Sequence, residues 1–240
     1  MPRLLHYQIT SLGDSALLVD FGNEIDEHLN DKVQALFKDL IEDPVNFMIE
    51  AVPAFSALAV YYNVSKIKSA LGNNHIAFDY MKQMVNERIQ RLKTSDAVKG
   101  ELKRIPVCYD FRLGPDMKYV SEHTSLDVNE IIDIHISKTY RVYMLGFLPG
   151  FPYMGSIDAK LFTPRKSTPV NVIAGSVGIV GKQTGIYPLN SPGGWPIIGR
   201  TPQKIFIPES SPHVLLKSGD MVQFYSISYD EFESYQGRDT

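Results

Sequence analysis

The 240-residue chain has a single cysteine, Cys108, which excludes an internal disulfide and any metal site built on a Cys-x-x-Cys pair. Cys108 sits in the apolar run IPVCY, where a buried, inert thiol is expected rather than a nucleophile. Six histidines (His6, His28, His75, His123, His135 and His213) show no HxH or HxxxH spacing, so no zinc site is expected. No uncharged apolar run approaches membrane-spanning length, and Met1-Pro2-Arg3 leads into no signal-peptide core. Positive charge is not in excess: 24 Lys and Arg face 27 Asp and Glu, for a net charge of −3. A general nucleic-acid binder is usually basic. These scarcities point to a cytoplasmic protein with no metal, no membrane anchor and no nucleic-acid partner.

Nucleotide-loop and nucleophile motifs are wanting too. Ser176 to Lys182 imitates a phosphate loop, but the pattern GxxxxGK[ST] fails at Ser176 and at Gln183, and strand-like flanks replace the required helix. Ala174 to Gly178 imitates a nucleophile elbow, yet Ile-Val-Gly follows instead of a helix. Ser176 therefore reads as a turn residue.

What the chain does have is concentrated between Tyr143 and Thr201. Gly146 to Gly199 holds ten of the 17 glycines and seven of the 15 prolines, with the sole tryptophan, Trp195. Within Tyr143–Thr201 five bases (Lys160, Arg165, Lys166, Lys182 and Arg200) face one acid, Asp158. Tight turns explain the Gly and Pro content. They do not explain the charge bias, and a cleft lined by one sign of charge attracts ligands of the other.

Along the first hundred residues, alternation over 7–21 predicts two strands around a Gly13-Asp14 turn. Apolar residues at Ile25, Leu29, Val33, Leu36, Phe37 and Leu40 predict a helix. Two strands broken at Pro53 should follow over 47–62, then helices over 65–71 and 78–92. Thr94 to Gly100 reads as a linker. Leu102 to Tyr109 is strand-like, and two short helices are expected over 115–137, the second opening at Leu126-Asp127. Beyond Tyr140 the helical period vanishes. The runs YRVYML, NVIA, VGIVG, GIYP, PIIG, KIFIP, HVLL and MVQFYSI, with turn residues between them, predict a closed or sandwiched β domain. Tyr229 to Thr240 is polar and reads as a fraying tail. The expected class is α+β, with an α+β sandwich over 1–100 and a β domain over 101–240.

The candidate site is a binding constellation. Arg165, Lys182 and Arg200 suit a carboxylate or phosphate, and Gln183 offers a donor and an acceptor to an amide. Tyr143, Phe147, Phe151, Tyr153, Tyr187 and Trp195 could wall a pocket. Gly150, Gly185, Gly193 and Gly194 would let backbone N–H groups approach a ligand. His135 is a candidate general base, since histidine titrates near neutrality.

At these residues the sequence resembles a known family. GFLPGFPYMG, TPRKS, AGSVGIVGKQTGIYP and SPGGWPIIGRT, with LGDSALLVDFG, VPAF and IPVCYD upstream, are similar to the signature of the KipI family. That family includes the B component of the bacterial ATP-dependent 5-oxoprolinase (PxpB). It is related to allophanate hydrolase subunit 1 and to the carboxyltransferase part of urea carboxylase. The resemblance implies a C-terminal cyclophilin-like β-barrel and an enzyme that opens 5-oxo-L-proline to L-glutamate. It also implies two partners, the KipA-like C component and the A component of the same enzyme. ATP would be used by the assembly, with no cofactor held by this chain alone. Substrate binding carries over to Arg165, Gln183, Tyr187, Trp195 and Arg200, with Phe151 and Tyr153 as walls, and no residue is assigned a catalytic role. Two other readings follow from the same family: an inhibitor of a sensor histidine kinase, and a carboxyltransferase or allophanate hydrolase-type component acting on a urea-like amide. One departure stands out. The family's second arginine is missing near Val170, and Ile173 replaces a proline, so any anion-binding share falls to Arg165, Lys166 or Arg200.

Overall fold

The computed structural model describes residues 6–72, 74–92 and 100–236. The chain divides into two compact units, Met1–Lys99 and Gly100–Thr240. Residues 94–99 of the linker expected over 94–100 lie outside the described residues, as does the tail beyond 236.

The first unit is a four-stranded antiparallel sheet in the order β1-β2-β4-β3, built from β1 (Gln8–Ser11), β2 (Ala16–Asp20), β3 (Met48–Pro53) and β4 (Ala57–Tyr62). Gly13 turns the first hairpin at φ +70, a conformation that favours glycine. Three helices complete the unit: α1 (Glu27–Glu42), α2 (Val64–Leu71) and α3 (Ala77–Arg91). Asp26 and Asn63 start α1 and α2 by accepting backbone N–H groups at Leu29 and Lys66. Leu17, Val19, Leu58 and Val60 from the sheet share a buried core with Val33, Leu36, Met81, Val85 and Ile89 from the helices.

The second unit is organised by a seven-stranded sheet in the order β12-β9-β10-β7-β6-β13-β5. Its strands are β5 (Leu102–Val107), β6 (Thr139–Leu145), β7 (Pro152–Gly155), β9 (Ser176–Val180), β10 (Gln183–Ile186), β12 (Ile197–Arg200) and β13 (Met221–Ser226). The two edge strands meet. Cys108, just past β5, and Arg200, ending β12, exchange N–H···O bonds of 2.9 Å in both directions. The result is a nearly closed barrel, and buried Cys108 serves its closure. A small ladder of β8 (Val170–Val172) and β11 (Ser191–Gly193) lies outside the main sheet. Helices α4 (Met117–Thr124) and α5 (Val128–Ser137) add Met117, Val120 and Ile131 to the core that Val142, Met154, Ile179 and Phe224 form within the barrel. Helix α5 opens on a reciprocal cap in which Asp127 accepts from Glu130 N–H and Glu130 accepts from Asp127 N–H.

Two sequence expectations fail here. KIFIP and HVLL form no strands, only a bridge between Phe206 and Val214. Residues 229–236 are not a frayed tail but a helix, α6 (Tyr229–Gln236), anchored by Phe232 at 1% exposure. One apolar residue among polar ones is enough to dock a short helix, and a polarity average hides it.

Candidate functional site

Residues directly opposite in a β ladder point to the same face, and successive residues alternate. Met154, Thr184 and Ile179 form one rung and point into the barrel, where all three are buried. The neighbouring rungs, Tyr153–Gly185–Gly178 and Gly155–Gln183–Val180, therefore point outward. The glycines leave a hollow in that outer face, and aromatic rings fill it. A Cβ on Gly185 would stand 2.9 Å from Phe151, and one on Gly178 would stand 3.1 Å from Trp195. Phe151 lies at the centre, with ring centroids 4.8 Å from Tyr153, 5.1 Å from Tyr187 and 5.5 Å from Trp195.

The structure thus brings Phe151, Tyr153, Tyr187 and Trp195 together. Phe151 and Tyr187 are almost fully buried and form a floor. Phe147, 62% exposed, stands edge-on above Phe151 at 5.9 Å. Arg165 lies across Gly194, where a Cβ would meet its Nε at 2.6 Å. Burial raises the phenol pKa values of Tyr153 and Tyr187, and the Arg165 charge partly offsets both. Gln183 sits one rung along from Tyr153, half-buried on the same face. Tyr143 is buried.

The space beside these glycines is filled by side chains of the chain itself. Gly185, Gly193 and Gly194 are occupied by Phe151, Tyr187 and Arg165 of the chain itself, and Gly150 by Val214 and Phe206. Gly185, Gly193 and Gly194 make room for two aromatic side chains and one guanidinium side chain.

Arg200 belongs to an adjoining cleft of about 130 Å³, lined by Arg112, Asp116, Lys166, Asn171 and Ser176 among others. Ser176 faces Arg200 in the β9–β12 ladder, and Ser176, Gly178 and Val180 run along the outer face of β9. At roughly 6.6 Å per two residues, the cleft and the aromatic floor are neighbours on one surface. Arg200 Nε donates to Ala174 O at 2.8 Å, and the guanidinium lies 5.8 Å from the centre of the Phe232 ring. Burial pushes its pKa down. Arg112 grips Asp110 with two bonds of 2.7 and 2.8 Å, which pulls that carboxyl down to about 2. Lys166 pairs with Asp116 at 2.5 Å. Lys182 lies away from this set, in the β9–β10 turn. Sequence reasoning missed Arg112 and Asp116 because they come from the loop before α4, and it dismissed Ser176 as a turn residue.

His135 is placed elsewhere. It is fully buried in the barrel core, stacked on Phe224 at 4.7 Å, with its ring nitrogens 2.7 Å from Tyr109 Oη and 3.1 Å from Thr184 Oγ1. Burial lowers its pKa from the ordinary 6.5 to about 3. An imidazole held neutral with both nitrogens engaged reaches no surface ligand. It should leave a pH signature in stability instead. Below pH 6.5 the unfolded chain takes up a proton that the folded chain refuses. Stability should then fall by about 1.4 kcal/mol per pH unit from 6.5 toward 3. Unfolding free energies from urea titrations at pH 7 and 4.5 should show a drop of about 2.5 kcal/mol that His135→Gln lacks. Parallel pH curves for the two proteins would assign the acid sensitivity to other groups.

Comparison with known proteins places this geometry. Residues 7–216 match the model of the carboxyltransferase domain, subdomain C and D. The chain belongs to that family. It is 42% identical to the B component of the 5-oxoprolinase of Bacillus subtilis (strain 168), over 97% of this chain and 98% of the relative. The crystal structure of TTHA0988 superposes with a TM-score of 0.74 at 31% identity, over 89% of this chain and 40% of that one. The urea carboxylase of Kluyveromyces lactis superposes at 0.71 with 17% identity, over 95% of this chain and 22% of that one, a likeness of fold. Among the described residues no helix is long and apolar enough to cross a membrane.

Proposed function

We propose that this chain is the B component of a multi-component 5-oxoprolinase, acting in the cytoplasm with the A and C components to open 5-oxo-L-proline to L-glutamate at the expense of ATP. The observation that carries the reading is the 42% identity to a 5-oxoprolinase B component across nearly the whole of both chains. The surface suits the substrate class. A lactam acid needs a cation for its carboxylate, amide partners for its ring and apolar walls. Arg200 and Arg165 supply charge, Gln183 an amide, and Tyr153 and Trp195, floored by Phe151 and Tyr187, the walls. ATP is used by the assembled enzyme, and no side chain of this surface is given a catalytic role.

The family description favours one second reading, a carboxyltransferase-type component acting on a urea-like amide. Reconstitution separates the two. The purified chain should release no glutamate from 5-oxoproline and ATP, and should do so once the A and C components are added. Glutamate release by the chain alone overturns the multi-component reading. A complete mixture that consumes a urea-like amide and leaves 5-oxoproline untouched transfers the assignment to the second.

A further inference from the structure

The cleft beside the aromatic floor holds three cations, and two are already neutralised. Arg112 is paired in two-pronged fashion with Asp110. Lys166 is paired with Asp116, whose carboxylate also accepts the Ile197 N–H at 2.7 Å. Arg200 is different. Its Nε is spent on Ala174 O, and among the described residues no carboxylate lies within 4 Å of its guanidinium. The two terminal nitrogens are left to the cleft. Opposite Arg200 in the ladder stands Ser176, 5% exposed, with a hydroxyl that bonds to none of the described residues. Directly opposed residues in a ladder have Cβ atoms about 4.5–5.5 Å apart, so the hydroxyl and the guanidinium can reach one small ligand group.

We propose that this cleft is a carboxylate-binding site, in which the terminal nitrogens of Arg200 grip the two carboxylate oxygens and the Ser176 hydroxyl donates a third bond. One uncompensated positive charge suits a monocarboxylate, whereas a phosphoryl dianion calls for a second free cation. The paired Arg112 and Lys166 frame the cleft without competing for the ligand. A volume of about 130 Å³ takes a small acid or the acid end of a larger one. The fork of a guanidinium matches two carboxylate oxygens in one plane, which an ammonium cannot do. That the acid is 5-oxoproline rests on the function proposed above. That the cleft takes a carboxylate does not.

The test uses the purified chain and four probes in ligand-observed NMR titrations: 5-oxo-L-proline, its neutral carboxamide, acetate and inorganic phosphate. The acid should bind about tenfold or more tightly than its carboxamide, since a hydrogen bond to a charged group is worth that much. Arg200→Gln should abolish the difference, Arg200→Lys should restore only part of it, and Ser176→Ala should weaken acid binding several-fold with an unchanged melting temperature. Should Arg200→Gln fail to fold, the comparison of Arg200→Lys with Ser176→Ala decides the question in its place. Equal binding of acid and carboxamide, phosphate bound more tightly than either carboxylate, or no saturable binding of any probe overturns the site. Acetate binding that depends on Arg200 without any preference for 5-oxoproline keeps the site and removes the 5-oxoproline assignment.

Discussion

Phe232→Ala is expected to destabilise the C-terminal unit by about 3–5 kcal/mol, the usual cost of emptying a buried phenylalanine site. Phe232 is 1% exposed and is the apolar anchor of α6. Its ring also backs the guanidinium of Arg200 at 5.8 Å, while Tyr229, one turn earlier, lies 3.3 Å under the guanidinium of Arg112. The last described helix thus holds two of the three cleft cations in place. Tyr229→Ala should cost only about 1 kcal/mol, the scale of an exposed cation–π contact. Urea unfolding of both variants reads the two effects directly. A midpoint for Phe232→Ala corresponding to less than about 0.5 kcal/mol would return 229–236 to the status of a dispensable tail, since that is the range of neutral surface changes.

How far the sequence reveals such features depends on whether the signal is local. Helix α1 is legible because Val33, Leu36 and Leu40 repeat at helical spacing and Asp26 marks its start. The barrel is legible because short β-prone runs recur between turns, although β7 and β11 hide behind Pro152 and Pro192, which break the apolar run without breaking the strand. The aromatic floor is legible as composition but not as geometry. Gly185 reads as open backbone, and only the folded chain shows that Phe151 occupies its space. Arg112 is not legible as part of a site, because it joins Arg200 across a separation of 88 positions through barrel closure at Cys108. The burial of His135 is invisible for a related reason. Its neighbours Tyr109, Thr184 and Phe224 come from three strands or strand ends that no local period connects.

Arg200→Ala is expected to impair the reconstituted enzyme by about thirtyfold or more while leaving the fold of the chain intact. Removing one partner of a charge-assisted pair with a bound ligand costs roughly 2–5 kcal/mol in binding, and each 1.4 kcal/mol is tenfold. The guanidinium makes one backbone bond and one distant ring contact, so its structural share should be near 1 kcal/mol. Arg165→Ala should follow the same pattern for a different reason. Arg165 is exposed, has no carboxylate partner among the described residues and bears on Tyr153 and Tyr187. It therefore stands where the aromatic floor meets solvent, and its loss should raise KM more than it lowers kcat, as expected when ground-state and transition-state binding are lost together. Steady-state titration of 5-oxoproline against each reconstituted variant, with thermal melts beside it, separates the outcomes. Unchanged kinetics in both variants would remove this surface from the reaction. A collapse of the melting temperature in Arg200→Ala would make the residue a closure element of the barrel, since its backbone already pairs with Cys108 at 2.9 Å and its side chain would then be serving the same seam.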